Sequence, residues 1–533
     1  MLVDLLSGDP EMSVDADVCI VGGGAAGVTM ARALSRSGRE VCLLESGGMD
    51  FEPDTQSMYE GRCTGMDYYP LDQSRLRFFG GTTNIWGGRC LPLDRLDFER
   101  RDWVPHSGWP ISREDLDPFY RESHDALEVG EFDYSASQWD KLGVEGIAFD
   151  PEEIETRFWR FDLKKERFNN SQCDDLVAAE RVKIFLHANL THIQVDEDGG
   201  QVQSLEARSL QGHRLRVRAK EYVLACGGIE NARMLLNSDD VQTKGLGNEH
   251  DLVGRYFMEH PHGRIGHVAC GDPAAIWVQY RKRYPRGTTP VAPALVSSEA
   301  LQRRAGILNI GTTFKLQRPP EEGLTAGRKM SLNLRDSLKP SRAGRQYWHG
   351  YRKVRAFLQR NVPMGLVKLR AQVRGFRLYL IARSEQSPNP DSRVQLSDQR
   401  DQLGLRRVDL NWQLTDLDKR SAREHALALG REFERLDQGK VTPSEWLDDG
   451  SPAWPVDPTV GNHPIAGYHH MGTTRMSASP KQGVVDADCK VHGVSNLHIV
   501  GSSVFATSGW ANPTLTILAL ARRLAQHIDR LLV

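Results

Sequence analysis

The sequence predicts an α/β fold, in which a doubly wound domain is combined with a discontinuous α+β domain whose mixed sheet is flanked by helices. Three observations lead to this prediction. The apolar segment 17–21 runs into a glycine-rich turn, and a later apolar segment ends at Gly227 and Gly228. The chain has 533 residues, which is too many for one hydrophobic core. We expect the two ends of the chain to meet and the middle to form the second domain.

The composition argues against several classes of protein. The formal net charge of −2 gives no electrostatic reason to expect a nucleic-acid partner, and no run of about 20 apolar residues predicts an integral membrane segment. Residues 1–17 are acidic and polar and lack the features of a signal peptide. The eight cysteines are scattered without a CxxC pair, so free thiols in a reducing cytoplasm are expected rather than disulfides or a metal site.

The first glycine turn has the spacing G-x-G-x-x-G, at Gly22, Gly24 and Gly27. The first glycine permits a tight turn, the second lets the backbone approach a pyrophosphate, and the third lets a helix pack closely on the strand. We expect that helix at residues 28–37, with Gly38 as its stop. The turn therefore predicts a Rossmann-like dinucleotide site. Its predicted cofactor contacts are Gly22, Gly24, Ala25, Ala26 and Gly27.

The next strand is predicted at residues 41–44, and Glu45 stands at its end. An acidic residue about 20 positions beyond the glycine turn accepts hydrogen bonds from ribose hydroxyls and disfavours a 2′-phosphate. A strand, a turn, a helix and this acid in the right order predict a dinucleotide far more strongly than three glycines alone. Ser46 is included in the predicted cofactor site.

A second glycine-rich stretch, residues 80–88, brackets a short polar and aromatic loop. Glycines let backbone N–H groups come close to a planar ligand. The alternative is a plain glycine-rich turn without a ligand. The predicted cofactor contacts in this loop are Gly81, Thr82, Asn84, Gly87 and Gly88.

Short strands are predicted from residue 184 onward. Residues 184–191 come first, a hairpin through Gly199 and Gly200 follows, and residues 221–226 predict a buried strand before a helix that includes Asn231. We expect that buried strand to join the nucleotide-binding sheet, although a long segment of the chain separates it from the first strands. Cofactor contacts are predicted at Leu190 and Gly227. Further strands are predicted at residues 483–486 and 497–503.

One stretch of the middle region, residues 339–377, is strongly basic and contains no acidic residue. It could be a dock for an acidic partner, an anionic substrate or a membrane surface. The alternative, which we favour, is a solvated helix face and loop. Its eleven basic residues are Lys339, Arg342, Arg345, Arg352, Lys353, Arg355, Arg360, Lys368, Arg370, Arg374 and Arg377.

The C-terminal region carries two polar motifs. One places His469 and His470 on a turn of glycine and threonine, and the other places Asn512 directly before Pro513 and a helix over residues 514–531. Proline is favoured at the start of a helix, and that helix end is a positive dipole terminus. The predicted cofactor contacts in this region are Gly501, Ser502, Asn512, Pro513 and Thr514.

Together these motifs resemble the glucose–methanol–choline (GMC) oxidoreductase family. The resemblance rests on the glycine turn with Glu45, the loop 80–88, the segment 225–233 and the C-terminal segments 469–476 and 509–516. It covers both ends of the chain and extends only loosely to the middle. The C-terminal motifs are similar to those of the sugar- and polyol-oxidising branch, which includes pyranose oxidases and bacterial gluconate and fructose dehydrogenases.

The resemblance implies that the dinucleotide is FAD. Some relatives hold flavin covalently through a histidine in the region of residues 80–88, whereas this chain has Asn84 and Ile85 and no histidine there. A dissociable, non-covalent FAD is therefore expected. Segments 1–130, 181–265 and 461–533 are predicted to form the FAD-binding domain, 131–180 a substrate or lid segment, and 266–460 the substrate-binding domain.

The resemblance also implies that His469 is the catalytic histidine and Asn512 its partner. Flavin N5 can accept a hydride, and a neutral imidazole can take the hydroxyl proton, which contributes ~10²–10⁴-fold. Asn512 can hydrogen-bond the alkoxide and fix the carbon over N5. The alternatives are a buried structural histidine and a simple helix cap. His470 is a competing base, and His260 and His262 are expected to have structural or supporting roles.

The functional prediction is a cytoplasmic FAD-dependent oxidase or dehydrogenase acting on the CH–OH group of a sugar, glycoside or polyol-like secondary alcohol. The electron acceptor is open between oxygen, a quinone and another redox protein. Two alternatives remain. One is a GMC-like lyase or other non-redox flavoprotein, and the other is an electron-transfer flavoprotein subunit that docks through the basic stretch 339–377. No metal and no nucleic acid are expected.

Overall fold

The computed structural model describes residues 1–164, 167–169, 172–285, 287–338, 340–361, 364–373, 375–451, 453–461 and 463–533. These residues contain eighteen strands. In chain order they are β1 (Leu2–Asp4), β2 (Glu11–Val21), β3 (Val41–Leu44), β4 (Gly61–Cys63), β5 (Arg89–Cys90), β6 (Ile154–Phe161), β7 (Val182–Leu186), β8 (Asn189–Val195), β9 (Val202–Arg208), β10 (Arg214–Leu224), β11 (His262–Ala269), β12 (Val291–Ser297), β13 (Ile310–Gln317), β14 (Arg377–Ser384), β15 (Arg393–Arg400), β16 (Arg406–Asn411), β17 (Lys440–Pro443) and β18 (Leu497–Ile499).

The same residues contain fourteen α-helices and several short 3₁₀ turns. The helices are α1 (Ala25–Arg36), α2 (Pro53–Ser57), α3 (Arg95–Phe98), α4 (Arg113–Ala126), α5 (Gln138–Leu142), α6 (Asp174–Ala178), α7 (Gly227–Asn237), α8 (Pro273–Tyr280), α9 (Glu299–Ala305), α10 (Ala326–Leu338), α11 (Arg342–Asn361), α12 (Met364–Val373), α13 (Asp416–Arg435) and α14 (Thr514–Leu531). The 3₁₀ turns include Gly81–Ile85 and Ser502–Val504. Within the described residues no helix is both long and apolar enough to cross a membrane.

The first sheet is assembled from three distant parts of the chain. Its strands run in the order β1-β7-β3-β2-β10-β9-β8, and the C-terminal strand β18 pairs with β10. Strands β1, β7, β3, β2, β10 and β18 are parallel to their neighbours, whereas β9 is antiparallel to β10 and β8. Val18, Cys19 and Ile20 of β2 have no exposed surface, as expected for a strand covered on both faces. The predicted α/β fold is confirmed.

Helix α14 packs against α4 and against α1, and α1 contacts β2 and β3 of this sheet. Its buried residues recur every three or four positions, among them Leu515, Leu518, Leu524 and Ile528, so one apolar stripe of the helix faces the core. The prediction of a helix over residues 514–531 is confirmed. Its packing fixes the position of the segment just before it, which carries Asn512.

The second sheet is antiparallel and is built mainly from the middle of the chain. Its strands run in the order β17-β11-β14-β13-β12-β6-β5. Helix α13 packs on it, and Phe433 of α13 belongs to a separate hydrophobic cluster with residues of the sheet such as Ile265, Ile310 and Leu380. Strands β15, β16 and β4 form a small third sheet.

Several local predictions differ from the structure. The strand predicted at residues 497–503 ends at Ile499, and Ser502–Val504 is a 3₁₀ turn instead. Helix α1 begins at Ala25 rather than at residue 28. The predicted strand 184–191 is two strands, because His187 has a left-handed backbone with φ of 54° and interrupts the extended chain. No strand forms at residues 483–486. The backbone N–H groups of Val484 and Val485 both point to one carbonyl, that of Arg475, and only isolated bridges remain.

Candidate active site

The glycine turn between β2 and α1 is shaped by close backbone approaches. Gly22 has φ of +108°, and a Cβ atom on it would lie 2.6 Å from the carbonyl oxygen of Ala225. A Cβ on Gly27 would lie 1.9 Å from the carbonyl oxygen of Gly22, so only glycine allows α1 to pack this closely on the turn. A Cβ on Gly24 would meet nothing within 4 Å. Gly24 therefore borders open space, as a backbone that receives a pyrophosphate should.

Glu45 lies at the carboxyl end of β3 and is 5% exposed. Its Oε2 accepts a hydrogen bond from the backbone N–H of Gly23 at 2.9 Å, and its Oε1 accepts one from Gly47 at 2.9 Å. The carboxylate is thus fixed beside the glycine turn. Carboxylate oxygens have further lone pairs that can accept ribose hydroxyls.

The loop 80–88 contains the 3₁₀ turn Gly81–Ile85. The side-chain amide of Asn84 donates to the carbonyl oxygens of Phe79 and Gly81, at 3.0 and 2.9 Å, and so holds the turn closed. Gly88 has φ of +71°, and a Cβ on it would lie 2.5 Å from the carbonyl oxygen of Asp162. Gly88 therefore packs against the backbone of a neighbouring segment.

A cavity of about 1400 Å³ is lined by residues of both large sheets. Gly27 and Gly88 are absent from its wall, because both glycines pack against backbone instead. The other predicted cofactor contacts all line it: Gly22, Gly24, Ala25, Ala26, Glu45, Ser46, Gly81, Thr82, Asn84, Gly87, Leu190, Gly227, Gly501, Ser502, Asn512, Pro513 and Thr514. The structure thus brings residues from three distant parts of the chain to one cavity.

His469 and Asn512 meet in the wall of this cavity. The amide Nδ2 of Asn512 lies 3.2 Å from His469 Nε2, and His469 Nδ1 lies 2.8 Å from His260 Nδ1. The other nitrogen of His260, Nε2, lies 3.4 Å from the carbonyl oxygen of Ser508. The sequence did not predict this contact with His260, because the 209 positions between the two histidines leave no local pattern.

These contacts are consistent with one tautomer of His469. The Asn512 amide is a donor, so Nε2 of His469 must present a lone pair. The proton of His469 is then on Nδ1 and is donated to Nδ1 of His260. His260 in turn donates from Nε2 to the carbonyl of Ser508. The basic nitrogen of His469 therefore faces the Asn512 amide.

Burial keeps both histidines neutral. It lowers the pKa of His469 well below 6.5, with a further contribution from the neighbouring His260 and His262 rings. Burial also lowers the pKa of His260 to about 4, and the carbonyl oxygens near it only partly oppose this effect. A neutral imidazole is the form that can accept a proton.

Glu259 is a buried carboxylate beneath the histidine loop, and its role was not predicted from the sequence. It accepts hydrogen bonds from the backbone N–H groups of Gly467, His469 and His260, at 3.2, 2.8 and 2.8 Å, and one from the Tyr68 hydroxyl. Burial raises the pKa of Glu259 to about 7, against the effect of these donors. One carboxylate therefore ties His260 to the loop that carries His469. The adjacent acid and histidine, Glu259-His260, were the only sequence signal.

His470 points away from Asn512. Its Nε2 lies 2.9 Å from the Tyr68 hydroxyl, and its ring packs at a tilt on Phe257 with centroids 5.8 Å apart. Burial lowers the pKa of His470 to about 3, with a smaller contribution from Arg75. His470 also lines the cavity, but its side chain is committed to Tyr68.

His262 lines the cavity beside the second sheet. Its Nδ1 lies 2.8 Å from the carbonyl oxygen of His463. Burial, followed by the positive charges of Arg383 and Arg89, lowers its pKa. In the described part of the chain no group of three or more histidine, cysteine, aspartate or glutamate side chains is arranged to hold a metal ion.

The basic stretch 339–377 forms α11 and α12 and reaches the cavity. Arg345, His349, Arg352 and Lys353 of α11 line it. The interpretation as a plain solvated face is therefore incomplete, although Tyr347 and several other side chains of α11 are exposed. Lys339 and Arg374 lie outside the described residues, as do the side chains of Arg355, Arg360 and Arg370.

The residues of the cavity fit FAD. Because Gly24 has no side chain, the first-turn N–H groups of α1 are left for a phosphate, and Glu45 stands where ribose hydroxyls would be received. The N-terminus of α14 also faces the cavity through Pro513 and Thr514. When bound there, FAD supplies an acceptor for a hydride.

Two family models match the chain. One, described as GMC oxidoreductase, matches residues 388–521, and the other, described as FAD dependent oxidoreductase, matches residues 17–247. Together they cover most of the chain but leave out residues 248–387, which include cavity-lining residues of the second sheet such as His262 and Arg383. The first contains His469 and Asn512, and the second contains the glycine turn and Glu45.

Curated relatives match along nearly the whole chain. The 6‴-hydroxyparomomycin C oxidase of Streptomyces lividus is 25% identical over 96% of this chain and 91% of its own length. The fructose dehydrogenase large subunit of Gluconobacter japonicus is 23% identical over 97% of this chain and 98% of its own length.

Two solved structures have the same fold. Pyridoxine 4-oxidase from Mesorbium loti superposes with a TM-score of 0.51 at 17% identity, covering 96% of this chain and 99% of its own. A fungal aryl-alcohol oxidase superposes with a TM-score of 0.54 at 15% identity, covering 97% and 99%.

Proposed function

Because the chain belongs to the glucose–methanol–choline oxidoreductase family, we propose that it uses FAD to oxidise the CH–OH group of a sugar, glycoside or polyol-like secondary alcohol. The fructose dehydrogenase large subunit and the 6‴-hydroxyparomomycin C oxidase among its relatives support this substrate class. The observation that carries the proposal is the contact of His469 Nε2 with the Asn512 amide, 3.2 Å apart in the wall of the cavity.

In the proposed mechanism His469 is the base. Its neutral Nε2 takes the hydroxyl proton of the substrate, while His260 holds the ring through Nδ1. The Asn512 amide donates a hydrogen bond to the oxygen as negative charge develops on it, which favours the alkoxide. The carbon that loses the hydride is thereby kept in one orientation. His470 is a poorer candidate, since its Nε2 contacts the Tyr68 hydroxyl and not the Asn512 amide.

We propose that FAD is bound without a covalent link. Asn84 and Ile85 occupy the loop that carries the attachment histidine in some relatives, and the Asn84 amide is used to close the 3₁₀ turn. Acid precipitation should therefore release all the yellow chromophore into the supernatant. Flavin that stays with the precipitated chain would contradict this proposal.

The proposed division of the chain assigns 1–130, 181–265 and 461–533 to the FAD side and 131–180 and 266–460 to the substrate side. The pairing of β6 with β12 supports grouping 131–180 with the substrate side. The short strand β5 also joins the second sheet, so this division is not sharp at the loop 80–88.

We further propose a reducing, cytoplasmic location, which is supported by eight free cysteines.

The test is anaerobic reduction of the purified yellow protein by a panel of sugars, glycosides and polyols. With a substrate that bleaches the wild type, His469→Ala should reduce the rate constant by about 10²- to 10⁴-fold. His250→Ala, at an exposed histidine, is the matched control. Wild-type rates in His469→Ala would rule out this base, and a loss confined to His470→Ala would move the role to His470.

The same experiment separates the alternatives. A GMC-like lyase would convert its substrate while its flavin stays yellow. Re-oxidation of the bleached protein by air, a quinone or a redox protein identifies the electron acceptor. Docking through the basic stretch predicts that Arg352→Glu slows re-oxidation by a protein acceptor and leaves re-oxidation by a small quinone unchanged.

A further inference from the structure

Two arginines of the second sheet face the cavity without a carboxylate partner. Arg89 of β5 and Arg383 of β14 both line it. Within the described residues neither guanidinium makes an ion pair. Arg383 donates only to the hydroxyl of Thr313 at 3.0 Å, and Nε of Arg89 is buried without any hydrogen bond.

Both guanidinium groups contact the same indole ring. The Cζ atoms of Arg89 and Arg383 lie 5.5 and 5.6 Å from the ring centroid of Trp159, which is 1% exposed. Two like charges are thus held near one buried side chain. Burial and the neighbouring positive charges lower the pKa of Arg89 to about 10 and that of Arg383 to about 9. Both guanidinium groups remain charged at neutral pH, but their charged forms are less stable than in water.

Most of the buried arginines that the structure describes pair with a carboxylate, and the others, Arg160 and Arg475, donate to backbone carbonyl oxygens. Arg101 forms two hydrogen bonds to Glu385, and Arg233 bonds to both Glu230 and Asp401. A charge that is removed from water without a partner is destabilising. The unpaired guanidiniums in the cavity are therefore typical of a site whose anion is supplied by a ligand.

The position of the pair separates it from the cofactor phosphates. The glycine turn that receives a pyrophosphate belongs to the first sheet, whereas Arg89 and Arg383 belong to the second. Trp159 packs on Trp510, with ring centroids 5.1 Å apart, and Trp510 precedes Asn512 by two residues. Arg383 is paired in register with His262, which links the site to the histidine cluster.

The rest of the cavity favours an anion as well. Apart from Arg89 and Arg383, its wall contains eight lysine and arginine side chains and three acidic ones. Of these acids, Glu230 pairs with three arginines and Asp162 with Arg167, so they do not neutralise the pair. A cavity of one charge sign raises the local concentration of ligands of the opposite sign.

We propose that Arg89 and Arg383 form a subsite for an anionic group, a carboxylate or a phosphate, on the alcohol that this protein oxidises. The substrate is then a hydroxy acid of the sugar-acid type or a phosphorylated sugar or polyol. This inference rests on the proposed function and narrows its substrate class. Bidentate guanidinium contacts supply the recognition.

The first test measures anion binding without turnover. Malonate and inorganic phosphate are titrated into the FAD-loaded protein by calorimetry, for the wild type, Arg89→Gln, Arg383→Gln and the control Arg218→Gln. Arg218 is an exposed residue of β10 outside the cavity. We expect either cavity substitution to raise Kd about 10- to 100-fold, since a charge-assisted hydrogen bond contributes about 1.5–3 kcal/mol. The control should match the wild type.

A stability measurement separates ligand binding from a structural role. Without added anion, removing one of two repelling, half-buried charges should leave the melting temperature unchanged or raise it. With malonate or phosphate present, the wild type should gain more in melting temperature than Arg383→Gln. Equal Kd values in wild type and both cavity variants, or no binding of either anion to the wild type, would overturn the subsite.

The second test uses matched substrates in anaerobic flavin reduction. D-glucuronate is compared with its neutral methyl ester, and D-glucose 6-phosphate with D-glucose, which distinguishes carboxylate from phosphate. We expect an anionic member to reduce the flavin at lower concentration than its neutral partner, and Arg383→Gln to abolish that advantage. If the wild-type flavin is reduced at lower concentration by both neutral compounds than by their anionic partners, the subsite is overturned and the proposed oxidation is left intact. Anion binding without flavin reduction by any alcohol overturns the oxidation instead.

Discussion

The Nδ1 atoms of His260 and His469 lie 2.8 Å apart, although the two residues are 209 positions apart in the chain. One of these nitrogens must carry the proton, and the Asn512 amide on the far side of His469 assigns it to His469. The contact therefore selects which nitrogen of His469 is free to act as a base. His260 is not part of the cavity wall, so it acts by positioning His469.

His260→Phe should lower the rate constant of flavin reduction about 10- to 100-fold without changing the concentration of substrate needed. The ring of His469 loses its Nδ1 acceptor, so part of the ~10²–10⁴-fold contribution of a positioned base is lost. His260→Asn, whose Oδ1 can accept the same proton, should restore part of the rate. Stopped-flow reduction at several substrate concentrations measures both quantities. Equal rates in wild type and His260→Phe would remove His260 from the mechanism.

The reduction rate should be independent of His469 protonation from about pH 6 upward. Burial and the neighbouring histidines lower the pKa of His469 well below 6.5, so the neutral, proton-accepting form persists when the pH falls to 6. An acid limb caused by this residue is expected only well below pH 6.5. The rate constant measured between pH 5 and 9 in the holoenzyme checks this. A limb with a midpoint near the ordinary histidine pKa would contradict it.

Gly24→Ala should impair FAD binding while leaving the fold intact. A Cβ at residue 24 meets nothing within 4 Å, so the chain itself tolerates the change, but the methyl group would stand where a pyrophosphate approaches. Gly271→Ala is the matched control, because its Cβ also meets nothing and it lies outside the cavity. FAD content after gel filtration and the melting temperature of the FAD-free protein are measured. Equal FAD retention in the two variants would place the pyrophosphate elsewhere.

The parts of the fold that sequence reasoning predicted are those with local causes. The glycine turn, the buried strand β3 with Glu45 and helix α14 each depend on patterns within about twenty residues. The prediction of a strand at 483–486 was wrong. The backbone N–H groups of its two valines bond to one carbonyl oxygen in a turn instead of forming the hydrogen-bond ladder of a sheet. Apolar character alone does not distinguish the two.

The candidate site was predictable only in part. His469 and Asn512 came from resemblance to a family. Tyr68 and Arg383 carry no local signal, and the only one for Glu259 is the histidine beside it. Each depends on contacts across more than a hundred positions, such as Tyr68 to Glu259 and β14 to β11. Nothing in the neighbouring sequence marks a buried charge whose partner is remote in the chain or is supplied by a ligand.

Glu259 should make the protein lose stability as the pH rises from about 4.5 to 7. Its pKa in the folded chain is raised to about 7 by burial, so the folded state holds a proton that the unfolded state has released. The stabilisation is complete below the unfolded pKa and is lost as pH passes the folded pKa, an effect of about 3 kcal/mol. Urea unfolding at pH 5 and 7.5 measures it.

Glu259→Gln should remove this pH dependence, while Glu180→Gln, at an exposed glutamate, should keep it. The glutamine also loses an acceptor for backbone N–H groups, so a loss of about 1–3 kcal/mol is expected at pH 5. If wild type and Glu259→Gln lose stability equally between the two pH values, the titrating group is another one.

Removing one member of the Arg101–Glu385 ion pair should destabilise the protein more than its share of the loss in a variant that lacks both members. Both side chains are fully buried, and Glu385 also accepts the backbone N–H of Asn309 at 2.9 Å. Arg101→Met leaves a buried carboxylate uncompensated and should cost about 3–5 kcal/mol in the free energy of unfolding. The free energy of unfolding lost in the double variant Arg101→Met with Glu385→Met should be smaller than the sum of the losses in the two single variants. In the double variant no buried charge is left without its partner. Additive losses in a double-mutant cycle would mean that the two groups contribute independently.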